Sequence, residues 1–149
     1  LNKQLLLRRT ALKFLRLGRR TMSRVIGVDV GTKRLGLAIG DTDTGVALPF
    51  GVIELAGKTA FEVLVGVLKD EMASSVVLGS PAEGALKNEV EKLAEELKTA
   101  TGRAVTVVDE HLTTKIADML SREVGSRRHD DALAAMLILE EYFSSNDKS

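Results

Sequence analysis

Several carboxylates in this chain stand where a carboxylate needs a reason. Asp29 interrupts the apolar run Arg24-Val25-Ile26-Gly27-Val28-Asp29-Val30. Asp109 and Glu110 close a second run, Ala104–Val108, and Asp130 and Asp131 precede a third, Ala132–Leu139. An ionised group inside an apolar strand is costly unless a cation or hydrogen-bond donors compensate it, and a bound metal ion is a natural compensator. Oxygen donors gathered from three separate elements suit a hard divalent cation, Mg²⁺ or Mn²⁺ in its place. Two such ions held near each other activate a water and stabilise the leaving oxygen in phosphodiester cleavage. Lys33 and Arg34 follow the first acid, and Arg127 and Arg128 precede the Asp130-Asp131 pair, as candidate phosphate contacts.

Each acid also has a plainer reading. Asp29 can serve the turn that follows by accepting from the amides of Gly31 or Thr32. Alternation along a strand sends Asp109 and Glu110 to opposite faces, so one of the two serves a shared site and the other is solvated. Asp130 and Asp131 are suited to cap a helix and to meet its positive dipole end. Lys33 and Arg34 can be ordinary turn charges. His111 and His129 read as exposed polar residues, and two histidines cannot by themselves build a zinc site.

The elements that would position these groups follow from periodicity. Arg24–Gly40 is two short apolar runs around Gly31-Thr32-Lys33-Arg34, a β-hairpin. Asp41-Thr42-Asp43-Thr44-Gly45 is turn chemistry with solvated acids, and Val46–Leu55 with Pro49 is an edge strand. Phe61, Leu64, Val65 and Leu68 recur at helical spacing. Ser75–Ser80 is a strand stopped by Pro81, and Val90, Leu93, Ala94 and Leu97 mark a helix ended at Thr101-Gly102. Ala104–Glu110 is a last strand. Thr113 or Thr114 caps a helix with Ile116, Met119, Leu120 and Val124. After the basic loop Gly125–His129, Asp130-Asp131 opens a helix apolar nearly all round and therefore buried. A meander followed by alternating units predicts an α/β fold: a mixed five-stranded sheet, antiparallel at one side and parallel at the other, with helices on both faces. Strand carboxyl ends are where such sheets carry their sites.

At 149 residues, with 44% hydrophobic and 28% charged side chains, the chain suits one folded domain. There is no Cys, which excludes disulfides, thiol catalysis and thiolate metal sites. No apolar run is long enough to span a bilayer. The net charge of zero hides an asymmetry, with eight basic and no acidic residues in positions 1–24 and a net of −8 thereafter. The acidic body opposes polyanions in bulk, so nucleic acid contact falls to local basic patches, divalent ions or the N-terminal arm. Residues 1–21 are expected to be an extension outside the folded domain of 22–149. Three readings fit it: a translated segment upstream of Met22, a phosphate-touching arm, or an organellar presequence.

Four blocks together resemble the YqgF family of RNase H-like, Holliday-junction-resolvase-like proteins, also described as candidate pre-16S rRNA nucleases. They are Val28–Gly36, Gly79-Ser80-Pro81, Asp109-Glu110-His111-Leu112-Thr113-Thr114 and Asp131–Leu139. The resemblance implies an RNase H-like fold, a Mg²⁺-dependent cytoplasmic endonuclease with Asp29, Glu110 and Asp131 as catalytic metal ligands, and Thr113 beside the substrate. It implies branched DNA or precursor rRNA as partner, and for junction cutting a homodimer. One departure stands out: His111 occupies the place of a family Arg, exchanging a fixed cation for a titratable one. Two other classes compete. Asp-x-Gly-Thr also opens the phosphate loop of actin-like ATPase lobes, but those proteins need two lobes. A non-catalytic nucleic-acid-binding module would keep the fold with the acids as caps.

Overall fold

The computed structural model describes residues 23–109 and 127–147, with the side chains of the last helix described from Asp131 to Asn146. In order these residues form β1 (Arg24–Val30), β2 (Arg34–Asp41), β3 (Val46–Glu54), α1 (Ala60–Asp70), β4 (Ser75–Ser80), α2 (Ala85–Thr101), β5 (Ala104–Asp109) and α3 (Arg127–Asp147). The strands lie in one sheet in the order β3-β2-β1-β4-β5. The first three pair antiparallel and β1, β4 and β5 pair parallel, so the expected mixed five-stranded α/β sheet is the observed one. The expected helix after Thr113 and Thr114 lies outside the described residues.

The central strands read as unbroken apolar runs because both of their faces are covered. One face carries Ile26, Val28, Val30, Leu35, Leu37 and Leu78 against Leu64 and Leu68 of α1 and Val90, Leu93 and Leu97 of α2. The other carries Val25, Ala38 and Val77 against Ala135, Ile138, Leu139 and Phe143 of α3. Pro49 sits where its missing N–H is harmless, on edge strand β3 beside an irregularity at Leu37/Ala38. Thr59 caps α1, with Glu62 returning the bond to the Thr59 amide, and Gly102 closes α2 at a φ of 66°.

Three details differ from the sequence reading. Asp41 is buried rather than solvated, its Oδ1 accepting the Asp43 amide at 2.8 Å. Helix α3 begins at Arg127, not at Asp130, so Asp131 lies a full turn inside it. Nor is α3 buried all round. Ala132, Ala135, Ile138, Leu139 and Phe143 are buried, whereas Leu133 and Leu137 are only half-buried. A helix lying on a sheet hides one stripe, and apolar residues on its flanks do not by themselves bring a second covering layer.

The stripe that α3 covers is unusually small. A Cβ on Gly27 would fall 2.5 Å from the Leu139 side chain and 2.9 Å from the Ala135 carbonyl. One on Gly36 would fall 2.1 Å from the Asp131 carbonyl oxygen, and one on Gly40 2.9 Å from the Phe143 ring. Glycines inside strands mark close backbone approach, and here they let the helix lie against the β1–β2 ribbon along much of its length.

Candidate metal centre at the β1–β2 hairpin

Asp29 is the penultimate residue of β1 and half-buried. Its neighbours across both ladders are glycines, Gly36 of β2 and Gly79 of β4. Neither ladder neighbour therefore places a side chain beside the carboxylate. Gly36 is also where α3 touches the sheet through the backbone of Asp131. One glycine thus both opposes Asp29 and seats Asp131. Register and helix seating together bring the two acids to the same end of β1.

The two acids line one open cleft of about 230 Å³ with Gly31, Thr32, Lys33 and Arg34. The hairpin loop Gly31–Lys33 forms its rim. The loop is held by the Gly31 amide donating to the Arg34 carbonyl at 3.1 Å and by the Leu55 amide donating to the Lys33 carbonyl at 2.9 Å. Lys33 is exposed at the tip. Arg34 turns inward, and its Nε donates to Asp131 Oδ2 at 2.6 Å, across 97 positions of chain. The cross-strand partner of Arg34 is Glu54. The hydrogen bond and charge of Asp131, with a smaller contribution from Glu54, raise the Arg34 guanidinium further above its already high ordinary value. It is a fixed cation and cannot act as a general base.

The structure also separates the members of one acidic pair. Val108 packs into the α3-side cluster. Asp109 points to the other face, where it lines a second depression with Ser80, Pro81, Lys87 and Glu91. Asp109 is therefore not a neighbour of Asp29. Glu110, His111 and Thr113 lie outside the described residues. Arg127 and Arg128 are helical, with side chains likewise outside them. Among the described residues no group of three or more His, Asp or Glu side chains is assembled to hold a metal. Sequence reasoning passed over Gly36 and Glu54. A glycine within an apolar strand is a legible sign of close approach, but what approaches it is not.

A family model described as RuvX, Holliday junction resolvase, matches residues 23–145. The chain belongs to the RuvX family. Similar proteins include one from Rickettsia rickettsii, strain Sheila Smith, named "Putative pre-16S rRNA nuclease". It is 34% identical over 132 residues, which cover 81% of this chain and 86% of the relative. A protein of the same name from Rickettsia felis is 33% identical over 135 residues, covering 83% and 88%. Among solved structures, the Fowlpox virus resolvase with Holliday junction DNA superposes with a TM-score of 0.60 at 12% identity, over 83% of this chain and 98% of that one. Thermus thermophilus RuvC with its junction substrate gives 0.57 at 15%, over 85% and 96%. At such identities these likenesses establish the RNase H-like fold. By its family match and its relatives at 33–34% identity this RuvX chain is a nuclease, a class whose chemistry generally implies a divalent metal. Among the described residues no helix is long and apolar enough to cross a membrane.

The residues present fit such a cation. Asp29 and Asp131 are hard oxygen donors on one open cleft. A positive group already seated on Asp131, the Arg34 guanidinium, shows that this carboxylate accepts a cation where it stands.

Proposed function

We propose that this protein is a Mg²⁺-dependent endonuclease of structured nucleic acid, with Mn²⁺ as a substitute and Asp29, Glu110 and Asp131 as metal ligands. The observation that carries the reading is the meeting of Asp29 and Asp131, far apart in sequence, on a single solvent-open cleft rimmed by cationic side chains. Glu110 is included because Asp109 belongs to the opposite face, which leaves the next acid of the pair as the candidate partner. The capping explanation of Asp131 loses its ground, since a residue a turn inside a helix is past the position where side chains cap.

A divalent ion bound there supplies Lewis-acid activation of water and stabilisation of the departing oxygen. The chain's own residues do the placing. Asp29, on a central strand with glycine on either side, offers a carboxylate whose backbone is fixed by two ladders. Lys33 at the hairpin tip is exposed and free to meet a phosphate. Thr113, Arg127 and Arg128 are proposed to extend that contact. Residues 22–149 form the nuclease domain in this reading, supported by a family match over residues 23–145 that does not include residues 1–21.

Two substrates fit the same chemistry, a four-way DNA junction and the 5′ region of precursor 16S rRNA, both of them cytoplasmic in a bacterium. Paired incision of a junction additionally calls for a homodimer with two sites facing one junction. A cleavage panel distinguishes them: four-way junction, duplex DNA, single strands and a 16S precursor leader, each with Mg²⁺, Mn²⁺ or chelator. Symmetric junction cuts by a dimer select the DNA substrate, and cleavage confined to the leader selects the RNA. Failure to cleave any of them with either metal, by a well-folded protein, would instead favour a non-catalytic binding module.

A further inference from the structure

The Arg34–Asp131 contact carries an inference that deepens the metal-site reading and rests on it. We propose that Arg34 is the resident counter-ion of Asp131 in the metal-free protein. It holds the carboxylate in place and must release it before a divalent ion binds there. Arg34 is thereby a positioning residue that sets the metal affinity of the site.

Three observations support this. First, the bond is short and specific. Nε meets Oδ2 at 2.6 Å, between the first residue of β2 and a helix that is distant in sequence. Second, it is poised to open. The two side chains are 36% and 26% exposed, so water screens the pair and its rupture costs little. Third, the surroundings explain why a cation is needed and where it can go. Asp29 and Asp131 bring like charges to one cleft. Across the β2–β3 ladder Arg34 faces Glu54, whose charge also favours the guanidinium. A divalent ion on Asp131 would displace a monovalent guanidinium whose second acid lies next door. The cost of an empty acidic site is thus met from within the chain.

Mass action makes this testable without any nuclease assay, since a group that occupies the site in competition lowers the apparent affinity by the fraction of sites left open. Mn²⁺ is titrated by calorimetry into wild type, Arg34→Gln, Lys33→Gln and Asp29→Asn, and thermal unfolding is followed in chelator and in saturating Mn²⁺. Arg34→Gln is expected to bind Mn²⁺ roughly five- to tenfold more tightly than wild type. It is also expected to melt lower than wild type in chelator and to regain most of that loss when Mn²⁺ saturates it. Lys33→Gln removes the same charge from a residue with no described contact to Asp131, and its affinity should rise clearly less. Arg34→Gln affinity equal to or weaker than wild type, or equal gains in the two variants, would overturn the place-holder role. Asp29→Asn separates this from the underlying reading. Unchanged Mn²⁺ binding in that variant means that the metal centre itself is misassigned, whereas its loss alongside an unaltered Arg34→Gln affinity refutes only the role of Arg34.

Discussion

A single methyl group on Gly36 should disable this protein without touching a carboxylate. The Cβ of Gly36→Ala would lie 2.1 Å from the Asp131 carbonyl oxygen, whereas ordinary contact begins at 3.4 Å. The shortfall is roughly 1.3 Å, in an interior packed too densely to absorb it locally. Backbone lies on both sides of the clash, so no rotamer change relieves it. Either the start of α3 lifts from the sheet or the β1–β2 ribbon bends. Overpacking of this kind costs about 1–3 kcal/mol, and displacement of a site residue by about 1 Å costs on the order of a hundredfold in rate. The expected outcome is a folded protein with a lowered melting temperature, weakened Mn²⁺ binding and cleavage reduced about a hundredfold. Gly66→Ala is the control. Gly66 lies mid-helix in α1 with nothing within 4 Å of its would-be Cβ, so alanine there should add about 1 kcal/mol of stability through helix propensity. Circular dichroism melts and single-turnover cleavage report both variants. Wild-type cleavage and stability in Gly36→Ala would refute the argument that the close seat of α3 on β2 is what delivers Asp131 to Asp29.

Other expectations are more local. Asp29→Asn should abolish cleavage while leaving the circular dichroism spectrum unchanged, and cleavage at the wild-type rate would show the site to be elsewhere. Leu64→Ala, fully buried between α1 and the sheet, should destabilise by about 2–5 kcal/mol in urea melts. Met72 holds a φ of 51° and is 48% exposed, so Met72→Gly should raise stability by about 0.5–1 kcal/mol, measured by the same melts. Cleavage should show no alkaline limb from Arg34. A raised guanidinium value leaves the pairing intact up to the ordinary arginine range, beyond the pH of any cleavage assay, and the contribution is lost only as pH rises through the raised value. A rate falling between pH 8 and 10 in wild type but not in Arg34→Gln would contradict this.

Much of the fold was legible in the chain because period and punctuation are local. Two apolar runs around Gly31–Arg34 became the hairpin, Pro49 marked the edge strand, and Gly102 ended its helix. The choice between Asp109 and Glu110 was narrowed to one of two by alternation alone. The packing of Val108 under α3 then removed Asp109. The start of α3 was misplaced because Asp130-Asp131 is so good a capping signal. The helix gains an extra turn before it.

By itself the sequence determined which residues had to find partners, for an acid in an apolar strand needs a cation or hydrogen-bond donors wherever the chain folds. Only the tertiary structure decided that Asp131 reaches the end of β1, that Gly36 is the seat that brings it there, and that Arg34 is its present partner. The reason is physical. Propensity and alternation act over a few residues, whereas the distance between two distant carboxylates is set by how closely a helix can settle on a sheet, and here that is decided by the missing side chain of Gly36.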